Sequence, residues 1–122
     1  MALRVLIVDD ALFMRNMLKE IFLKENCQVV GEAVNGAEAV ELYRQLRPDL
    51  VTLDIVMPVK SGIEALQEIR REDPSARVII CSAMGQESLI LQAVKAGAQD
   101  FIVKPFKEDK VLEVIRRLVS QT

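Results

Sequence analysis

Val5-Leu6-Ile7-Val8-Asp9-Asp10 opens with four consecutive apolar residues, three of them β-branched, and stops at two aspartates. So short an apolar run is a strand, and an apolar residue at every position means burial on both faces. Four more β-branched runs follow, at Gln28–Ala33, Leu50–Leu53, Val78–Cys81 and Phe101–Val103. The stretches between them keep three-and-four spacing. Met14, Met17, Leu18, Ile21 and Phe22 form one stripe, and Ala39, Leu42, Tyr43 and Leu46 the next. Ile63, Leu66 and Ile69 form a third, and Val111, Leu112, Ile115, Leu118 and Val119 the last. Asn35-Gly36 and Ser61-Gly62 open helices, Pro48 and Pro74 follow helix ends, and Gly97 suits the left-handed position after the fourth helix.

Five strands therefore alternate with five helices. Continuous apolar runs in the first, third and fourth strands predict a parallel α/β sheet covered by helices on both faces. Right-handed crossovers bring every strand's C-terminal end to one edge. No repeat or linker interrupts the 122 residues, so residues 1–122 are expected to form a single domain without an output domain.

Composition narrows the chemistry. A net charge of −2 lacks the basic excess that nucleic-acid binding requires. The absence of histidine removes His-activated nucleophiles, His general bases and His-containing zinc sites. Cys27 and Cys81 form no CxxC pair and read as reduced, buried thiols. No signal peptide or membrane-length apolar stretch is visible, so a soluble cytoplasmic protein is expected.

Ligands of open α/β sheets bind beyond the strands' C-terminal ends. Those ends carry Asp9 and Asp10, Asp54, Ser82, and Lys104 followed by Pro105. Taken singly, each has a plain explanation: a helix cap, a solvated charge, a loop hydrogen-bonder. Taken together on one edge they make a site. Three close carboxylates repel one another unless a cation joins them, and hard oxygen donors suit Mg²⁺ beside a phosphate. An aspartate there can act as a nucleophile toward phosphorus, while a lysine and a hydroxyl hold phosphoryl oxygens.

With these residues in place, the chain resembles the receiver domains of bacterial two-component signalling over essentially its full length. The matching segments are VLIVDD at Val5–Asp10, DLVTLDIVMP at Asp49–Pro58, SAMG at Ser82–Gly85, KAGAQDF at Lys95–Phe101 and VKPF at Val103–Phe106. ALFMR at Ala11–Arg15 and CSAMGQ at Cys81–Gln86 bring it nearest the stand-alone chemotaxis regulators of that family. The resemblance implies a (βα)5 flavodoxin-like three-layer sandwich with strand order 2-1-3-4-5. It implies Asp54 as phosphoacceptor and a Mg²⁺ held by Asp10, by Asp9 through water, by Asp54, and by the backbone carbonyl of Val56. Ser82 and Lys104 would contact phosphoryl oxygens, the Lys104–Pro105 bond would be cis, and Phe101 would follow Ser82 as a switch.

The same resemblance implies the partners. A sensor histidine kinase of the chemotaxis type would donate the phosphoryl group, and the flagellar motor switch would receive the signal. A phosphatase would be a third partner, and the regulator itself would be a monomer. The output surface would draw on the fourth helix, fifth strand and fifth helix. Helix four, expected over Gln86–Ala96, is apolar over a wider arc than one buried stripe needs. It is either buried nearly all round, or Ile90, Val94, Phe101 and Val114 form an apolar docking patch.

Two departures from the family pattern stand out. Lys60-Ser61-Gly62 replaces the more usual Asp or Asn before the glycine, and Lys60 is expected to be a solvated charge. Val56 and Met84 are apolar where some members carry polar side chains, which predicts slow self-dephosphorylation. Three other readings compete. A phosphorelay intermediate would share the same pocket and hand the group to another protein's histidine. A Mg²⁺-dependent phosphatase of the haloacid dehalogenase type would instead need its nucleophile after the first strand, with a second Asp where Val56 stands. A flavodoxin-like binding module would need a Ser/Thr/Gly-rich loop where Asp9-Asp10-Ala11-Leu12 lies.

Overall fold

Each predicted strand forms. In a computed structural model that describes residues 2–119, β1 (Arg4–Val8), β2 (Gln28–Ala33), β3 (Leu50–Asp54), β4 (Val78–Ser82) and β5 (Asp100–Val103) build one parallel sheet. Its order is β2-β1-β3-β4-β5. The helices are α1 (Leu12–Lys24), α2 (Gly36–Leu46), α3 (Gly62–Glu72), α4 (Glu87–Lys95) and α5 (Glu108–Val119). The side chain of Val119, expected on the α5 stripe, lies outside the described residues.

The sheet separates two apolar cores, as burial on both faces of the central strands demands. Side chains alternate across it: Leu6, Val8, Val51, Leu53 and Ile80 meet α2 and α3, whereas Val5, Ile7, Ile79 and Cys81 meet α1 and α5. Every residue of β3 and β4 is buried. Both cysteines are free and buried.

The caps follow the local sequence. The Asn35 side chain accepts a hydrogen bond from the Glu38 N–H at 2.9 Å, and Ser61 with Glu64 completes a capping box on α3. Gly97 adopts φ +110° after α4, and a Cβ there would meet the Arg70 guanidinium. Both open strand ladders run one residue beyond the expected ends. Asp54 pairs with Cys81, and Ser82 with Val103, so both functional residues are the last members of strands and not loop residues.

Helix α4 is shorter than expected at each end, and Ala93 is its one fully buried residue. Leu89 and Ile90 lean on the core, while Leu91 and Val94 are exposed. The thoroughly buried alternative for this helix is therefore incorrect. Val114 corrects the expectation in the other direction. At 7% exposure it belongs to the core beneath α5, because it sits on the same helical stripe as Val111 and Leu118. No helix among the described residues is long and apolar enough to cross a membrane.

Candidate functional site

The strand ends converge as the sequence requires. One carboxylate oxygen from each of Asp9, Asp10 and Asp54 lies within 4.8 Å of the other two. Asp9 is 1% exposed, Asp54 7%, and Asp10 open to solvent. Lys104 reaches in from the end of β5, its Nζ 2.8 Å from Asp9 Oδ2 and 3.3 Å from Asp54 Oδ2. The Lys104–Pro105 peptide is cis, and the Lys104 N–H donates to the Ser82 carbonyl at 2.7 Å, tying the ends of β4 and β5 together.

Asp9 is anchored by three hydrogen bonds and one ion pair. Its N–H donates to the Ala33 carbonyl at 3.1 Å, and its Oδ1 accepts from the Ala11 N–H at 2.9 Å. Its Oδ2 faces Lys104, and its carbonyl accepts from Arg15 Nη1 at 2.8 Å. Asp54 is placed by an unusually close backbone approach. The Gly62 N–H donates to the Ile55 carbonyl at 2.8 Å, and a Cβ on Gly62 would lie 2.0 Å from the Asp54 carbonyl oxygen, so only glycine fits.

Burial, reinforced by the neighbouring Asp9 carboxylate, pushes the pKa of Asp54 up to about 6 despite Lys104. Burial alone would lower the Lys104 ammonium, but its ion pairs with Asp9 and Asp54 outweigh that and hold it above the ordinary lysine range. Two negative charges beside one buried cation leave the pocket short of positive charge. That donor set, three hard carboxylates with one solvent-facing, fits a small divalent cation.

Ser82 is fully buried and its hydroxyl has no hydrogen-bond partner. Such an orphan costs about 1–3 kcal/mol until an acceptor arrives. Val56 and Met84 are exposed on the two loops flanking the pocket. Phe101 is 43% exposed, so it is not a core phenylalanine. It lines two cavities, one of about 310 Å³ shared with Met84 and Ile90, the other of about 550 Å³ shared with Pro105 and Val114. Val114 thus floors a groove from within the core, and the exposed apolar atoms of this face come from Val94, Phe101 and Val103.

Two residues mattered more than the sequence suggested. Lys60 is no free solvated charge: it is partly buried and ion-paired with Glu68, eight residues on in α3, the helix that its loop leads into. Its carbonyl also accepts from the Gly36 N–H, which anchors the β3–α3 loop to α2. Arg15 entered the sequence reading only as part of a matching segment, yet it grips the backbone of Asp9. Its position one helical turn past the aspartates was the available signal.

Comparison with known proteins agrees with this geometry. Residues 5–116 match the response regulator receiver domain. The chain is 58% identical to the chemotaxis protein CheY of Bacillus subtilis, over 98% of this chain and 100% of that one. It is 56% identical to CheY of Thermotoga maritima, over 97% and 98% of the two chains. Among solved structures, the CheX–CheY–BeF3–Mg²⁺ complex of Borrelia burgdorferi superposes with a TM-score of 0.92 at 41% identity, covering 96% of this chain and 89% of that one. A parallel sheet of order 2-1-3-4-5, strand-end carboxylates facing a lysine, and relatives this similar along their whole length lead to one assignment: the chain belongs to the response regulator receiver domain family, among the chemotaxis regulators of the CheY type.

Proposed function

We propose that this protein is a phosphorylation-activated regulator that accepts a phosphoryl group on Asp54 from the phosphohistidine of a sensor kinase. The observation that carries this reading is the meeting of Asp9, Asp10 and Asp54 with Lys104 at one sheet edge. A carboxylate oxygen of Asp54 attacks phosphorus in line. The P–N bond to the donor imidazole breaks, a P–O bond to Asp54 forms, and the leaving imidazole takes up a proton.

Asp10, Asp9, Asp54 and the Val56 carbonyl are the groups that would hold Mg²⁺, whose charge, when bound, would offset that of the phosphoryl oxygens. The solved relative from Borrelia burgdorferi, crystallised with BeF3 and Mg²⁺, supports this assignment. Lys104 supplies a fixed positive charge to one phosphoryl oxygen. Ser82, with its hydroxyl unspent, donates to another.

Recruitment of Ser82 then draws Phe101 from one of its two adjoining cavities toward the other. This reshapes the face formed by α4, β5 and α5, where Ile90, Val94 and Phe101 would meet an amphipathic segment of a partner. The partner we assign to that face is the flagellar motor switch. The protein acts as a monomeric regulator in the cytoplasm, and a phosphatase ends the signal in place of the slow intrinsic reaction.

Intact mass after incubation with Mg²⁺ and acetyl phosphate tests the core of this reading. Wild type should gain one phosphoryl group. Asp54→Asn and a metal-free sample should gain none. Labelling of Asp54→Asn at the same rate would overturn the assignment.

A further inference from the structure

We infer that Arg15 is a positioning residue that aims the Asp10 carboxylate into the cation site through the peptide bond joining Asp9 to Asp10. This rests on the Mg²⁺ site proposed above. Arg15 lies on α1, one turn beyond the aspartates, and is mostly buried. Its Nη1 donates to the Asp9 carbonyl at 2.8 Å, and its Nε donates to Glu32 Oε1 on β2 at 3.0 Å. Lys19 holds the other oxygen of Glu32 at 2.6 Å. The hydrogen bond from Lys19, with that from Arg15, keeps Glu32 below the ordinary carboxylate range and so charged.

The geometry makes the link mechanical. A peptide unit is a rigid plane, so fixing the direction of the Asp9 carbonyl also fixes the N–H and Cα of Asp10. The other polar atoms of Asp9 are already committed to Ala33, Ala11 and Lys104. Asp10 has no such frame of its own, being exposed at the start of the loop. The peptide after it is held by the Ala11 N–H on Asp9 Oδ1, and the direction of the peptide before it rests on Arg15. The planar fork of arginine serves the carbonyl and Glu32 at once, which a lysine ammonium on a flexible stem cannot reproduce.

This role and plain electrostatics predict opposite signs. A guanidinium near three carboxylates repels a cation, so deleting its charge would by Coulomb's law alone tighten Mg²⁺ binding. Loss of positioning weakens it, and groups that orient metal ligands are typically worth 10–100-fold in affinity.

The test is calorimetric titration of the full chain with Mg²⁺, below the unfolding temperature of each variant, so that lost global stability does not enter the binding constant. Arg15→Met should weaken Mg²⁺ roughly tenfold. Arg15→Lys, which keeps the charge and loses the fork, should fall between it and wild type. Glu32→Gln, which keeps an acceptor for Nε, should stay closer to wild type than either. Asp10→Asn calibrates loss of the site. Should Arg15→Met fail to fold, Arg15→Lys decides alone, and wild-type affinity in it overturns the inference. Unchanged or tighter binding in Arg15→Met, with binding lost in Asp10→Asn, also overturns it. Absence of Mg²⁺ binding in wild type would instead overturn the metal site, and this inference with it.

Discussion

Asp54 Oδ2 stands 3.3 Å from Lys104 Nζ, joining the last residue of β3 to the residue that follows β5 across the width of β4. Lys104 is closer still to Asp9, at 2.8 Å, so one ammonium is shared by two buried carboxylates. That arrangement is strained electrostatically in the absence of a further cation, and its consequences are measurable.

Lys104→Met should destabilise the fold. Removing one partner of a buried pair leaves an uncompensated charge, at a cost of roughly 3–5 kcal/mol, and here two carboxylates lose their cation together. Saturating Mg²⁺ should recover part of the loss. Urea unfolding with and without Mg²⁺ gives both numbers. A midpoint equal to wild type in metal-free buffer would contradict the shared-ammonium picture.

The raised pKa of Asp54 sets a pH dependence with a definite sign. Its folded value of about 6 exceeds the ordinary carboxyl value of 3.8. Between those values the native state binds more protons than the unfolded state, so this group's contribution to stability falls as pH rises from about 4 to 6. Asp54→Asn should therefore be more stable than wild type at neutral pH, by on the order of 2 kcal/mol. The gap should close as the pH falls to 4. Thermal unfolding of both proteins in metal-free buffer across that range is the check, and a gap that widens at low pH would refute the assigned cause.

Val59 carries backbone strain. It is a β-branched residue at φ +69°, with its side chain almost wholly exposed on the β3–α3 loop. The left-handed region disfavours such residues and costs about 1–3 kcal/mol, with no buried contact visible in return. Val59→Gly should stabilise by about 1 kcal/mol, and Val59→Asn by somewhat less. Equilibrium denaturation measures this directly, and a loss of stability in both variants would show that the valine side chain contributes more than its exposure suggests.

The lifetime of the phosphorylated state should answer to Val56 and Met84. Both are exposed beside the pocket, and neither carries a group that can orient a water molecule. Val56→Asn combined with Met84→Glu should speed loss of the phosphoryl group about tenfold, equivalent to roughly 1.4 kcal/mol of barrier. Decay of the phosphorylated mass after removal of acetyl phosphate follows the rate, and an unchanged half-life would rule out this account of slow decay.

What the sequence determined by itself was everything that depends on near neighbours along the chain. Strand and helix periods, the Asn35 and Ser61 caps and the turn at Gly97 are local, and each formed where its residues placed it. The residue types at the strand ends were equally legible, because parallel topology brings those ends together whatever the loops do. Only the tertiary structure decided what depends on a partner distant in sequence. The last residues of β3 and β4 joined the ladder because Cys81 and Val103 lie opposite them. Val114 went under α5 while Val94 stayed outside, a choice made by which neighbours cover each helix. Lys60 found Glu68, and Arg15 found both Glu32 and the backbone of Asp9. Ion pairs of that kind leave no periodic trace, since a charge at a given position reads the same whether it ends in water or on a buried carbonyl.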